Sequence, residues 1–292
     1  MNSRPSDLIR LAIPNKGRIA EPINDLIEKS GLHIITSGDR RLIAKTVDPH
    51  VEILYVRPID IPEYVAQGVA DIGITGLDMV AERGSDVLEL LDLKMGQARL
   101  IVAVPEDSSY HELGDLAGKK IATEFPGITR KFFAEHGVDV SIVSVSGACE
   151  AAPNLGIADA IVDLTSSGTT LRTNHLRIMT DVFQSSTWLI ANQSSFLEFR
   201  EKIDEITLAL ESVLRAKGQC YLMMNVSRDR LEEIRSILPG LSGPTVMEVA
   251  SDQNLVAVHV VVAEERVYQL INMVKRAGAR DILVMDVQRM IK

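Results

Sequence analysis

The chain has 292 residues, 46% hydrophobic and 24% charged, a globular composition that excludes a mostly disordered protein and, at this length, requires more than one compact unit. Its 31 basic and 40 acidic residues leave a formal charge of −9, which disfavours nucleic acid or an anionic membrane as the main partner and confines any bound anion to a local site. Cys149 and Cys220 form no CxxC pair and are too few for a disulfide scaffold, so two buried thiols in a reducing compartment are expected.

The opening run MNSRPSDLIRLAIPNKGR carries no signal-peptide pattern, and no apolar stretch reaches the roughly 18 residues of a membrane span; a soluble cytoplasmic protein is expected. Up to about residue 190, short β-branched runs at 8–13, 51–56, 70–74, 99–104, 120–123, 141–145, 159–164 and 187–191 read as strands. Helix-like segments such as EPINDLIEKSG, DIPEYVAQG, GITRKFFAEHG and CEAAPNLG lie between them, several closed by glycine. This alternation predicts α/β layers with largely parallel sheets, and near-continuous apolar strands such as RLIVAV predict helices on both faces.

The polar run after residue 105 predicts a crossing into a second lobe, and QSSTW near 184–187 a crossing back. Residues 1–104 and 185–210 are therefore expected to form lobe I and 105–184 lobe II. A helix over 196–217 bridges to the last part, where strand 220–226, helix 228–238 closed by Pro239 and Gly240, strand 245–250, strand 255–262, helix 264–277 and strand 281–287 give the order βαββαβ. That order predicts a ferredoxin-like unit over 211–292, with SDQN as its hairpin turn. Appended units of this kind more often bind a regulator or a partner than do chemistry.

The most informative motif is DAIVDLTSSGTTLRTN, residues 159–174. A buried strand runs through Asp163 and Leu164 into Thr165, Ser166, Ser167, Gly168, Thr169 and Thr170. Small residues let backbone N–H groups converge and hydroxyls add donors, which makes an anion cradle suited to phosphate. A plain strand-to-helix turn would need only one Ser or Thr as N-cap. The Walker A lysine is missing, which disfavours NTP hydrolysis. IPNKGR follows the first strand and offers Lys16 and Arg18 as a point charge and a planar fork, though two cations in a loop are often only solvated. Arg57 follows the next strand and either meets a ligand anion or pairs with an acid. Another strand ends at Thr75 and Gly76. Glu150 in VSGACEAAP either holds a substrate hydroxyl or offsets a helix dipole. The six histidines show no metal-ligand spacing, so magnesium would arrive with substrate phosphates, held by one or two carboxylates such as Asp163.

IRLAIPNKGRIAEPINDLIEKSGL, VRPIDIP, DIGITGLDM, GQARLIVAVP, IATEFPGITRKFF and above all ADAIVDLTSSGTTLRTN resemble the ATP phosphoribosyltransferases that open histidine biosynthesis. The similarity covers essentially the whole chain, and the last unit looks like the ACT-like regulatory domain of the family's long form. The resemblance implies two lobes of the periplasmic-binding-protein type II topology and transfer of phosphoribosyl from phosphoribosyl pyrophosphate to N1 of the adenine of ATP, with Mg2+. It implies that Asp163, Leu164, Thr165, Ser166, Ser167, Gly168, Thr169 and Thr170 bind phosphoribosyl pyrophosphate, with Asp163 on a ribose hydroxyl and Glu150 beside it as catalytic groups. Lys16, Arg18, Arg57, Thr75 and Gly76 would face ATP or pyrophosphate. Leu241, Pro244 and Thr245 match a segment associated with histidine feedback, and Asn225 stands where some relatives are expected to carry aspartate. A homo-oligomer, dimer and hexamer, is implied. The competing readings are a two-lobed solute- or effector-binding protein without catalysis and a catalytically silent regulatory subunit; the hydroxyl-rich loop together with Lys16 and Arg18 counts against the second.

Overall fold

A computed structural model of the chain describes residues 7–35, 42–165, 168–238, 243–250 and 252–291. Two compact units divide it, 1–207 and 208–292. The first begins with β1 (Ile9–Pro14), α1 (Ala20–Ser30), β2 (Ile34–Ile35), β3 (Ile43–Thr46), β4 (Val51–Val56), α2 (Ile61–Ala66), β5 (Ile72–Gly76), α3 (Leu77–Arg83) and β6 (Leu88–Asp92). It continues through β7 (Ala98–Pro105), β8 (Lys120–Thr123), α4 (Pro126–Glu135), β9 (Ser141–Ser144), β10 (Ala160–Thr165), α5 (Thr169–Thr173), β11 (Leu176–Ser185), β12 (Thr187–Ala191) and α6 (Gln193–Glu198). The helix α7 (Arg200–Ala216) runs through the boundary at residue 207.

The strands of this unit form two sheets, one in the order β2-β3-β4-β1-β5-β12-β6 and one in the order β11-β7-β10-β8-β9. Both are built on one plan. In the first, β4, β1 and β5 are parallel and β12 enters antiparallel between β5 and β6. In the second, β9, β8 and β10 are parallel and β7 enters antiparallel between β10 and β11. Each sheet thus receives one antiparallel strand directly after a crossing. The plan corrects the lobe I boundary at 104: β7 belongs to the second sheet, so the first crossing falls at residues 93–97. The polar run after 105 is only a loop inside lobe II, because an apolar strand next to a crossing carries no local mark of which sheet it will join. The return crossing is Ser186, between β11 and β12.

Core residues follow the strand pattern. Ile9, Leu11, Ala12 and Ile13 of β1 and Leu100, Ile101, Val102, Ala103 and Val104 of β7 are fully buried, as expected of strands covered on both faces. Gly73 is required on β5, because a Cβ there would lie 2.6 Å from Ile61 Cγ2 and 2.8 Å from Val65 Cγ2. Two expected helices differ. CEAAPNLG forms a 3-10 turn at Cys149–Ala151 followed by turns, since Pro153 has no N–H to bond the Cys149 carbonyl. The segment 196–217 is split between α6 and α7 at Phe199.

The second unit contains β13 (Gln219–Ser227), α8 (Leu231–Ile237), β14 (Thr245–Glu248), β15 (Leu255–Ala263), α9 (Glu264–Arg276) and β16 (Arg280–Asp286), in the antiparallel order β14-β15-β13-β16. This is the ferredoxin-like plan. Alternation is strict on β13 and β15, where Leu222, Met224, Val226, Val256, Val258, Val260 and Val262 are buried with Ile234, Leu270 and Val274 of the helices. The other sheet face, with Tyr221, Met223, Asn225, Ala257 and His259, is only partly covered. Pro239, Gly240, Leu241 and the first residue of the expected SDQN turn lie outside the described residues, as do Ser166 and Ser167 of the hydroxyl-rich loop.

Candidate active site

Parallel β1, β4 and β5 end at the same edge of the first sheet, so the loops that follow them lie side by side. The Asn15 N–H donates to the Val56 carbonyl at 2.8 Å, tying the loop of Lys16 and Arg18 to the strand end that precedes Arg57. All three cations are exposed. Thr75 is different: it is fully buried, and its hydroxyl donates to the Pro58 carbonyl at 2.9 Å. The side chain expected to face ATP or pyrophosphate is thus enclosed in the fold, with its hydroxyl proton given to a backbone carbonyl. Gly76 ends β5 and is the N-cap of α3, and a Cβ there would lie 2.1 Å from Asp78 Oδ1.

In the second sheet, β8 ends at Thr123, paired with Val162 of parallel β10, so Glu124 and Asp163 follow that pair on one edge. The Leu164 N–H donates to Asp163 Oδ1 at 2.7 Å. The Gly168 N–H donates to Thr165 Oγ1 at 3.0 Å and closes the loop. Gly168 has φ 68°, a left-handed conformation that costs other residues roughly 1–2 kcal/mol. The helix it opens has only five residues, so aligned peptide dipoles add little there and an anion at this loop would depend on local N–H groups and hydroxyls.

Burial pushes the Asp163 carboxyl up to about 6 against the pull of the Leu164 N–H, and the Glu150 and Glu124 carboxylates push it the same way. Burial, and then the charges of Asp163, Glu124 and Glu150, drive the Cys149 thiol far above its ordinary range. Its Sγ lies 3.2 Å from the Ala122 carbonyl in the core, so it is no nucleophile.

The two lobes meet at a cavity of about 240 Å³ lined by Arg18, Ala98, Glu150, Asp163, Leu164, Thr165, Gly168, Thr169, Thr170 and Leu171. One cation of the first lobe therefore faces the acid and the loop of the second. Lys16, Arg57, Thr75 and Gly76 are not among the residues lining it. Two features escaped the sequence reading. Glu124 directly follows β8, as Asp163 sits near the end of β10, so the rule that strand ends line the crevice would have found it. Ala98 begins β7, which the sequence reading gave to the other lobe. Among the described residues no three His, Cys, Asp or Glu side chains are grouped to hold a metal ion.

The family model described as ATP phosphoribosyltransferase matches residues 57–212, and the model of the HisG C-terminal domain matches residues 216–289. An ATP phosphoribosyltransferase of Methanosarcina barkeri is 52% identical over 97% of this chain and 100% of its own length. The chain belongs to the ATP phosphoribosyltransferase family. It is a pentosyltransferase of histidine biosynthesis, built as two α/β lobes followed by a ferredoxin-like unit. The Methanocella arvoryzae ATP phosphoribosyltransferase is likewise 52% identical over 98% of this chain and 100% of its own. A solved chain from an ATP phosphoribosyl transferase (HisG:HisZ) complex of Thermotoga maritima is 31% identical with a TM-score of 0.65, covering 71% of this chain and 99% of that one. No helix among the described residues is long and apolar enough to cross a membrane.

Asn225 lies on the partly covered face of the second unit's sheet, and its Nδ2 donates to Asp281 Oδ2 at 2.9 Å. Thr245 is paired with His259, whose Nδ1 lies 2.6 Å from the Tyr221 hydroxyl. Asn225 pairs with Ala257, and Ala257 with Met247. Asn225 and Thr245 thus share a face but stand on strands separated by β15, and Pro244 precedes the edge strand. Asp281 has no local sign in the sequence, since only the sheet register brings it to Asn225.

Proposed function

We propose that this chain transfers the phosphoribosyl group of phosphoribosyl pyrophosphate to N1 of the adenine of ATP, releasing pyrophosphate, in the committed step of L-histidine synthesis, and that histidine inhibits it through the second unit. The observation that carries the reading is the shared cavity. Arg18 comes from one lobe, and Asp163 with the loop through Thr170 comes from the other. A donor held by its 5-phosphate on Gly168, Thr169 and Thr170 would present its C1 carbon toward the first lobe.

Displacement at C1 builds positive charge on the sugar and negative charge on pyrophosphate, so positioning and charge stabilisation supply most of the rate. Asp163 accepts from a ribose hydroxyl and, with Glu150, places negative charge beside the cationic sugar. Arg18, with Arg57 and Lys16 at the same sheet edge, neutralises the triphosphate or the departing pyrophosphate. Without that cation two polyanions would meet in a chain already at −9. No protein nucleophile is needed.

The donor set fits magnesium carried on substrate oxygens rather than a closed protein site: Asp163 and Glu150 line the cavity, and no third ligand is grouped with them among the described residues. Asp163 and Glu150 would hold the ion, which when bound supplies Lewis-acid neutralisation of pyrophosphate. On the second unit, Asp281 beside Asn225 offers a carboxylate for the amino group of histidine, with Pro244, Thr245 and Leu241 in the binding segment. The working form is a cytoplasmic homo-oligomer, dimer and hexamer. The test is an assay of phosphoribosyl-ATP and pyrophosphate formation from both substrates and magnesium, with and without histidine. No product from folded protein overturns the assignment, and product formation indifferent to histidine overturns the regulatory part.

A further inference from the structure

The helix α3 belongs to the first lobe by chain position but packs against both lobes. Leu77 and Val80 pack into the first lobe's core with Ile61, Val65 and Ile190. Met79 packs into the second lobe's core, against the cluster that contains Phe125, Ile128 and Phe132. Close to the crossing, the Leu77 N–H donates to the Ser186 carbonyl at 3.0 Å, and buried Asp78 accepts the Ser185 hydroxyl at 2.6 Å. At the far end, the Glu82 carboxylate spans the gap to α4. Its Oε1 accepts the Gly127 N–H at 2.9 Å and its Oε2 the Ile128 N–H at 3.0 Å.

These two N–H groups belong to the first turn of a ten-residue helix and have no partner within it. An anion from the opposite lobe satisfies both with two charge-assisted bonds. The approach is so close that a Cβ on Gly127 would lie 2.7 Å from the Glu82 carbonyl and 3.1 and 3.2 Å from its carboxylate oxygens. Glycine at 127 is therefore a condition of the contact. Glu82 lies five residues beyond Leu77, about 7–8 Å along the helix axis, so the lobes are fixed at two separated points rather than only at the crossings.

We propose that α3 is an interlobe clasp and that Glu82 is a positioning residue, setting the distance across the cavity between Arg18 and the loop of Asp163 and Gly168. The inference rests on reading that cavity as the site of transfer. Lobes of this topology that met only at their crossings could hinge freely; here the clasp holds the cleft near its working width before substrate arrives. A misplacement of about 1 Å between reacting groups can cost on the order of a hundredfold in rate, so slack at Glu82 reaches the chemistry without any contact to substrate.

The test uses the full chain and the variants Glu82→Gln and Glu82→Ala. Gln keeps one acceptor but turns its NH2 toward a donor, so both variants lose the paired bonds. Amide hydrogen exchange without substrates is expected to quicken at least tenfold at Gly127 and Ile128, while Val102 and Val162 in the second sheet keep their protection. In steady state, kcat is expected to fall about tenfold or more while the affinity for phosphoribosyl pyrophosphate changes less than threefold, because its loop lies wholly in the second lobe. Unchanged exchange at both amides, or faster exchange with unchanged kcat, overturns the proposal. Should the Glu82 variants fail to fold, Gly127→Ala forces the helices apart while leaving the carboxylate in place and is expected to show the same split. The exchange measurement needs no turnover, so a wild-type chain without transferase activity would refute the proposed reaction and still leave the clasp decided.

Discussion

Replacing Asp163 by asparagine is expected to stabilise the ligand-free protein while removing most of its activity. In the folded chain the carboxyl is pushed from 3.8 to about 6, by burial first and then by Glu150 and Glu124. A raised carboxyl binds its proton more tightly in the folded state than in the unfolded one. The cost of keeping it ionised is therefore absent below about pH 4, grows between about pH 4 and 6, and is complete above that. One unit corresponds to about 1.36 kcal/mol, so a shift of this size has a ceiling of about 3 kcal/mol; the group still touches water at the cavity, and screening reduces the expectation to about 1–2 kcal/mol. Asparagine keeps the Oδ1 acceptor for the Leu164 N–H, so nothing else is lost. Scanning calorimetry without substrate or magnesium should show the first unit's transition raised by about 3–6 °C at neutral pH, with the gain vanishing near pH 4. Turnover at neutral pH should fall at least a hundredfold. A variant less stable than wild type at neutral pH, or a gain that persists unchanged at pH 4, would refute the account of a carboxylate held in a hostile field for the sake of substrate.

Gly168→Ala forces a side chain into φ 68° with Arg172 Nη1 3.5 Å from the new Cβ; the expected result is a severalfold rise in KM for phosphoribosyl pyrophosphate with KM for ATP unchanged, and an equal rise in both would remove the phosphate cradle from this loop. Cys149, buried and surrounded by three acids, should resist thiol alkylation in the native chain at about pH 8 while reacting after denaturation; rapid native labelling at that position would contradict its placement. Asp281→Asn should raise the histidine concentration for half-inhibition about tenfold, the cost of one charge-assisted contact of about 1.4 kcal/mol, without altering kcat. Equal sensitivity would show that the amino group is held elsewhere.

Much of the site was readable because its chemistry is local in sequence. Asp163, Gly168 and the threonines around it sit in one run, and a strand end followed by small hydroxyl residues has few structural uses. The loops of Lys16 and Arg57 were placed by the same logic, since parallel strands deliver their carboxyl ends to one edge. What escaped depends on contacts distant in sequence. Glu82 and Gly127 are 45 residues apart, and neither has a pattern of its own. β11 was not expected: its register shifts against β7 between Ile178 and Thr180 and again between Asp181 and Phe183, and such irregularities break the alternation by which a strand is recognised. The burial of Thr75 was not legible either, because a threonine at a strand end looks the same in sequence whether its hydroxyl points outward or donates to a neighbouring carbonyl.

The placement of β12 also orders events during synthesis. The second sheet is drawn entirely from residues 98–185, one continuous stretch, whereas the first needs residues 187–191 in its interior, between β5 and β6. At about 5–20 residues per second, the ribosome leaves the first sheet without that strand for several seconds after β6 has emerged, and in that interval the whole second lobe is made. The lobe begun first is therefore the lobe finished last, and the edges of β5 and β6 that await β12 are the ones a chaperone would have reason to cover.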